Sequence, residues 1–93
     1  MTLPSLPRIC VPHPHVRVDD DVLEGSPHIT GSKIVVRRLW AWHRGGASVE
    51  MLIRRYPHLG PAKILDALAF AYDNVELIQA DLERAELMKG QRE

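Results

Sequence analysis

The chain has 93 residues, of which 12 are Lys or Arg, 12 are Asp or Glu and five are His, so its formal net charge is zero. This length holds one domain with a modest core, and it excludes folds such as a TIM barrel or a two-half dinucleotide-binding domain. Hydrophobic residues make up 45% and charged residues 26%, which excludes a wholly disordered chain. A neutral total also argues, at first count, against a nucleic-acid-binding protein.

The first 14 residues predict a flexible tail outside the core, because they hold four of the seven prolines. A single cysteine, Cys10, cannot form an internal disulfide and is interpreted as incidental. The segment lacks the basic start of a signal peptide, and the chain has no apolar run long enough to span a membrane. A cytoplasmic location is therefore expected.

Short strands and turns are expected over residues 15–35. Val16 and Val18 alternate with polar residues, which predicts a first strand. A turn follows at Asp19–Asp21, and His28–Thr30 can form a second strand. Two such strands need a partner surface, because a pair this short is marginal alone.

Two short helices follow, with clear start and stop signals. The apolar period changes to 3.6 residues from Ile34, and Gly45 with the glycine after it ends the first helix. Ser48 is a good N-cap for the second helix, which stops after Tyr56 because proline follows. On the first helix, Trp42 is assigned to the core, whereas Trp40 fits the core edge and an interface equally well.

A longer helical stretch begins at Pro61, a favoured residue for the first helical position. Its apolar residues repeat at spacings of four and three, so one helix over 61–88 is possible. The capping-box-like pair Asp73 and Glu76 favours two helices, about 61–73 and 75–88. We expect this stretch to supply a seam for a homodimer or another partner, formed by Phe70, Val75, Ile78 and Leu82.

The charges are segregated along the chain. Residues 33–63 contain seven cations and one anion, whereas residues 1–32 and 64–93 carry net charges of −2 and −4. Solvated helix faces would explain some of the cations, but this bias favours a contact surface. The candidate DNA- or partner-binding residues are Lys33, Arg37, Arg38, Arg44, Arg54, Arg55 and Lys63.

The three successive helices are typical of a trihelical helix-turn-helix domain. If DNA is bound, the helix over 61–73 would enter the major groove with Lys63 and Asp66 facing it. The carboxylate of Asp66 is unfavourable there, which shifts the expected DNA contacts to phosphates and to the arginines. The same cations would also suit the acidic catalytic centre of a metal-dependent nuclease.

No set of catalytic or metal-binding residues emerges, so neither an enzyme nor a cofactor is predicted. His13 and His15 lack ligand partners at convincing spacing and are interpreted as satisfied or exposed histidines. The acidic run that starts at Asp19 lacks the pattern of a calcium loop. The serines lack the context of a nucleophile.

Two segments carry a resemblance to a known family. They are Gly25-Ser26-Pro27-His28-Ile29-Thr30-Gly31-Ser32-Lys33 and Tyr56-Pro57-His58-Leu59, supported by the glycine pair before Ser48. Together they resemble the domain of unknown function 433 family, over about residues 15–82. The resemblance implies a homeodomain-like helix-turn-helix, an association with VapB-type antitoxins and a PIN-like toxin encoded nearby. Ser26 stands where the family usually has a cation, and Ser32-Lys33 where it has Thr-Arg.

These observations predict a mainly α protein with short N-terminal strands, a trihelical helix-turn-helix core and an additional C-terminal helix. One antitoxin-like domain is expected over 15–88, after the tail over 1–14 and before a frayed end over 89–93. The expected function is that of a non-catalytic antitoxin-like protein. It is expected to form a homodimer that binds a PIN-like toxin, and operator DNA is a second candidate ligand. The alternative is a self-assembly module that binds no DNA and uses its charge-polarised helices.

Overall fold

The computed structural model describes residues 5–91 and is mainly helical, as predicted. Four helices follow a short two-stranded antiparallel sheet near the N-terminus. Strand β1 is Val16–Arg17 and strand β2 is His28–Ile29, with a single-turn 3-10 helix, Leu23–Gly25, between them. The helices are α1, Val36–Arg44; α2, Val49–Arg55; α3, Pro61–Asp73; and α4, Val75–Gln91.

The sheet pairs Val16 with Ile29 and Arg17 with His28. A sheet of this size is not stable alone. It persists because Val16 and Ile29 are buried in the core, and because Ile29 also exchanges backbone contacts with the segment before α1. The backbone N–H of Ile29 donates to Ile34 O at 2.9 Å. The strands therefore attach the segment before α1 to the helical core.

The predicted helix boundaries are confirmed at the turn between α1 and α2. Gly45 follows the last residue of α1, and its N–H donates to the carbonyl of Ala41. The Ser48 hydroxyl accepts a hydrogen bond from Met51 N at 3.2 Å, so it caps α2 as expected. Gly60 adopts a φ of 84°, a conformation that favours glycine, and it turns the chain into α3.

The stretch after Pro61 forms two helices, as favoured by the sequence, and Asn74 separates them. Its φ of −133° interrupts the helical path, while its side-chain N–H donates to Phe70 O at 3.0 Å. The predicted capping role of Asp73 is not seen, because its carboxylate pairs with His13 instead. Among the described helices, none is long and apolar enough to cross a membrane.

The core forms around α3, which contacts α1, α2, α4 and β1. On α1 the buried stripe is Val36, Leu39 and Trp40, and Trp42 is 40% exposed. The assignment of Trp42 to the core was therefore wrong. The helix buries Trp40, and a residue two positions further along an α-helix lies about 200° around its axis, so Trp42 faces solvent.

The apolar seam of α3 and α4 lies inside a single chain, which corrects its assignment to a partner. Phe70 and Ile78 are fully buried, and Leu82 packs against the same core. The reason is that α4 lies against α1, so the heptad spacing serves packing within the chain. Of the four predicted seam residues, Leu82 is partly buried and Val75 is the most exposed, at 47%.

The described part of the N-terminal segment, residues 5–15, contains no helix or strand, but it contacts the helices. Leu6 and Ile9 pack against the core although a tail outside the core was expected. Cys10 and Val11 are hydrogen-bonded to Asn74. Proline-rich composition thus predicted the irregular backbone but not the contacts.

Candidate functional site

Five of the seven predicted cations are exposed, and we call them the basic surface. They comprise one lysine before α1, two arginines on α1 and two at the end of α2: Lys33, Arg38, Arg44, Arg54 and Arg55. Within the described residues, none of the five forms an ion pair with a carboxylate. Their charge is therefore available to a partner.

Aromatic rings orient two arginines of the basic surface. The guanidinium carbon of Arg44 lies 5.5 Å from the Trp40 ring centre, and that of Arg55 lies 5.2 Å from the Trp42 ring centre. A cation over an aromatic face is worth about 0.5–1 kcal/mol at an exposed site and leaves the N–H donors free. Trp42, which the sequence assigned to the core, thus forms part of this surface.

The other two predicted cations have partners inside the chain. The Nη1 of Arg37 donates to Asp81 Oδ2 at 3.0 Å and to Ser26 Oγ at 2.8 Å. The Nζ of Lys63 donates to Thr30 O at 3.3 Å. Of these two predicted site residues, Arg37 is paired with a buried carboxylate, whereas Lys63 contacts one carbonyl and keeps its charge.

Asp81 is the centre of a buried polar cluster that sequence reasoning missed. Its carboxylate has no exposure and accepts hydrogen bonds from Ser26 Oγ at 2.7 Å and from Arg37, with Arg84 Nη2 at 3.4 Å. Arg84 also donates to Glu24 O at 2.7 Å. The cluster ties α4 to α1 and to the turn before β2. Ser26, which departs from the family pattern, faces this interior rather than a partner.

The exposed face of α3 is apolar rather than basic. Ala62, Leu65, Ala69 and Tyr72 follow one another at helical spacing and are exposed. Lys63 and Asp66, expected to face a DNA groove, are held by other parts of the chain. The helix that would read base edges in a helix-turn-helix therefore offers one cation, Lys63, which is partly buried and donates to a backbone carbonyl.

Asp66 and Asp73 instead hold the N-terminal segment. Both ring nitrogens of His13 contact carboxylates at 2.7 Å, Nδ1 with Asp66 and Nε2 with Asp73. The backbone N–H of His15 donates to the other Asp66 oxygen at 2.9 Å. His13 is thus a satisfied histidine, as interpreted from the sequence. No group of three or more potential metal ligands occurs within residues 5–91.

These contacts shift the ionisation of both partners. The hydrogen bond to Asp66 is the main reason that the pKa of His13 lies above 6.5; burial opposes it and the contact with Asp73 adds to it. Burial alone would raise the pKa of Asp66. The hydrogen bonds from His13 and from the His15 backbone outweigh that effect, so the pKa of Asp66 lies below 3.8. Because two carboxylates accept from one ring, the geometry fits an imidazolium.

The fold and these surfaces define a small, mainly helical domain with a basic surface on its first two helices. The chain belongs to the DUF433 family, described as a protein family of unknown function, whose model matches residues 16–71. A crystal structure of a DUF433 member from Anabaena variabilis is similar, with 28% identity and a TM-score of 0.64. The similarity covers 76% of this chain and 68% of that chain. No curated protein matches the chain.

The match confirms membership of the DUF433 family, over residues 16–71 where about 15–82 was expected, and the basic surface lies within this range. All five exposed cations lie between residues 16 and 71, as do β1, β2, α1 and α2, whereas α3 extends two residues beyond that range. The N-terminal segment that contains His13 and the helix α4 lie outside the matched range.

Proposed function

We propose that this protein is a non-catalytic, antitoxin-like partner of a PIN-like toxin, which it binds through the basic surface. The observation that carries the proposal is that all five cations are exposed and, within the described chain, lack carboxylate partners. Arg37 is paired internally, whereas these five cations are not, and we infer that they give α1 and α2 a local excess of positive charge.

The chemistry of the surface suits an acidic protein site. Four of the five cations are arginines, whose planar guanidinium can hold a carboxylate by two parallel hydrogen bonds. A metal-dependent nuclease gathers carboxylates at its catalytic centre, so arginines that enter that centre would neutralise it and block substrate. Opposite charges of this kind also accelerate association.

Operator DNA is the second candidate, because α1, α2 and α3 follow one another with the short connections of a helix-turn-helix. The apolar exposed face of α3 makes base recognition by that helix less favourable than protein binding. Arginines on α1 and α2 could still contact phosphates. Such binding would be largely independent of sequence and would weaken steeply with salt.

The test is co-purification with the PIN-like protein encoded beside this chain, at equal expression. A variant with Arg38, Arg44, Arg54 and Arg55 replaced by Gln should lose at least 90% of the complex, an effect on the order of 1.4 kcal/mol or more. Arg8→Gln with Arg17→Gln is the matched control, since both arginines are exposed and lie outside the basic surface. The control should retain the complex.

Three results would contradict the proposal. They are separate elution of the two wild-type proteins, an unchanged complex with the four-arginine variant, and equal loss in the control. A gel-shift titration with upstream DNA at low and physiological salt tests the second candidate. Light scattering of the chain alone tests the self-assembly alternative, which predicts salt-sensitive oligomers without any partner.

A further inference from the structure

The N-terminal segment is held by a side chain that recognises its backbone. We call residues 10–15 the strap. Asn74 Oδ1 accepts hydrogen bonds from Cys10 N at 2.7 Å and Val11 N at 2.9 Å, and its Nδ2 donates to Val11 O at 2.8 Å. Asn74 itself is buried. One amide side chain thus offers both donor and acceptor to an extended segment, as a neighbouring strand would.

The remaining contacts involve both backbone groups of His15 and one side chain of the strap, and the His15 carbonyl accepts a hydrogen bond from Thr30 N at 2.9 Å. His15 N donates to Asp66, and the His13 ring bridges Asp66 and Asp73. The same ring lies edge-on to Phe70, with ring centres 5.7 Å apart. Pro12 and Pro14 favour an extended path between these contacts.

Such a set of contacts is transferable to another chain. Most of the polar contacts are made by backbone groups of the strap, which every peptide has. The imidazole of His13 is the strap side chain that makes polar contacts, so sequence specificity at this site depends on that position. The surface beneath that imidazole carries two carboxylates, Asp66 and Asp73, which require a cation for balance. Charge complementarity therefore specifies the ligand as an extended peptide with a histidine, lysine or arginine at this position.

The geometry points to a peptide-binding site at the junction of α3 and α4, which the chain fills with its own strap. We infer that a partner's extended segment, bearing a cationic side chain between Asp66 and Asp73, takes this site by displacing residues 10–15. The inference uses neither the basic surface nor the toxin, so it stands apart from the proposed function.

The test uses the full chain and a fluorescent peptide with the sequence of residues 5–15, under reducing conditions. The receptor is a variant with a weakened strap, Val11→Pro with His13→Ala, which removes one backbone donor and the imidazole. A tethered strap has an effective concentration on the order of 1 mM. We therefore expect saturable binding to the variant and at least tenfold weaker binding to the wild-type chain. Circular dichroism confirms that each variant is folded.

Two controls identify the site. A peptide with Ala at the His13 position should bind at least tenfold more weakly, and one with Lys there should retain binding. Asp73→Asn in the receptor, which keeps the side-chain shape at an exposed position, should weaken binding of both cationic peptides. Equal binding of all three peptides, or no effect of Asp73→Asn, overturns the assignment.

A measurement on the wild-type chain covers the case in which the receptor variant does not fold. Trypsin cleaves after Arg8, and an excess of unlabelled peptide of residues 9–15, which contains no trypsin site, should accelerate that cleavage by displacing the strap. The Ala-substituted peptide should not. Absence of peptide binding to a folded receptor, or an unchanged cleavage rate in the wild type, refutes the inference.

Discussion

Replacing Asp81 by Asn is expected to destabilise the fold strongly, although the two side chains have nearly the same shape. The wild-type carboxylate is fully buried and faces Arg37 at 3.0 Å and Arg84 at 3.4 Å. Asparagine removes the charge and leaves two guanidinium groups close together. Removal of one partner from a buried ion pair costs about 3–5 kcal/mol, and the low end applies because Arg37 keeps 20% of its exposure.

A loss of about 3 kcal/mol is large compared with the roughly 5–15 kcal/mol that stabilises a typical domain. Urea unfolding followed by circular dichroism measures it, with an expected fall of the midpoint by about 1–3 M at the usual denaturant dependence. Glu83→Gln, an exposed change on the same helix, is the control and should stay within about 0.5 kcal/mol of wild type. An Asp81→Asn variant within about 1 kcal/mol of wild type would refute the role assigned to the cluster.

Three further predictions concern the strap, the core and a helix cap. The raised pKa of His13 means that its contribution to stability is complete below pH 6.5 and is lost as pH rises through that raised pKa. The lowered pKa of Asp66 means that its contribution is complete above pH 3.8 and is lost as pH falls through that lowered pKa. His13→Gln should reduce the loss of stability at rising pH, measured as the urea midpoint at each pH. Phe70→Ala should cost about 3–5 kcal/mol in thermal unfolding, while Val75→Ala should change stability by under about 0.5 kcal/mol; similar costs would contradict their different burial. Ser48→Ala should cost about 1 kcal/mol, which Ser48→Asp should recover if the cap is responsible.

The helices were predictable because their signals are local. Ser48 caps α2, Gly60 and Pro61 open α3, and the break near residue 74 followed from the polar residues there. What the sequence could not specify was which element covers an apolar stripe. The heptad spacing through Ile78 fits a second chain and an intrachain neighbour equally well, and only the path of α4 across α1 decides between them.

The site was predictable as a charge bias but not residue by residue. Counting charges by segment located the basic surface, since exposure is the default for arginine and lysine. Arg37 was misassigned because its partner, Asp81, lies 44 residues away on another helix. The contacts of His13 were missed for the same reason, because Asp66 and Asp73 are distant in sequence and a proline-rich segment predicts no packing.

The neutral net charge is therefore the sum of two different kinds of charge. Asp81 is fully buried between Arg37 and Arg84, and His13 lies between Asp66 and Asp73, so these charges are largely compensated by contacts within the chain. The remaining exposed charges are mainly carboxylates on α4 and before β2, and mainly cations on α1 and α2, with Glu50 on α2 and Lys89 on α4 as exceptions. Screening at physiological salt acts over about 8 Å, so a partner at the basic surface senses mainly its local positive charge. A neutral total therefore does not exclude the local positive charge on which the proposed binding of an acidic partner depends.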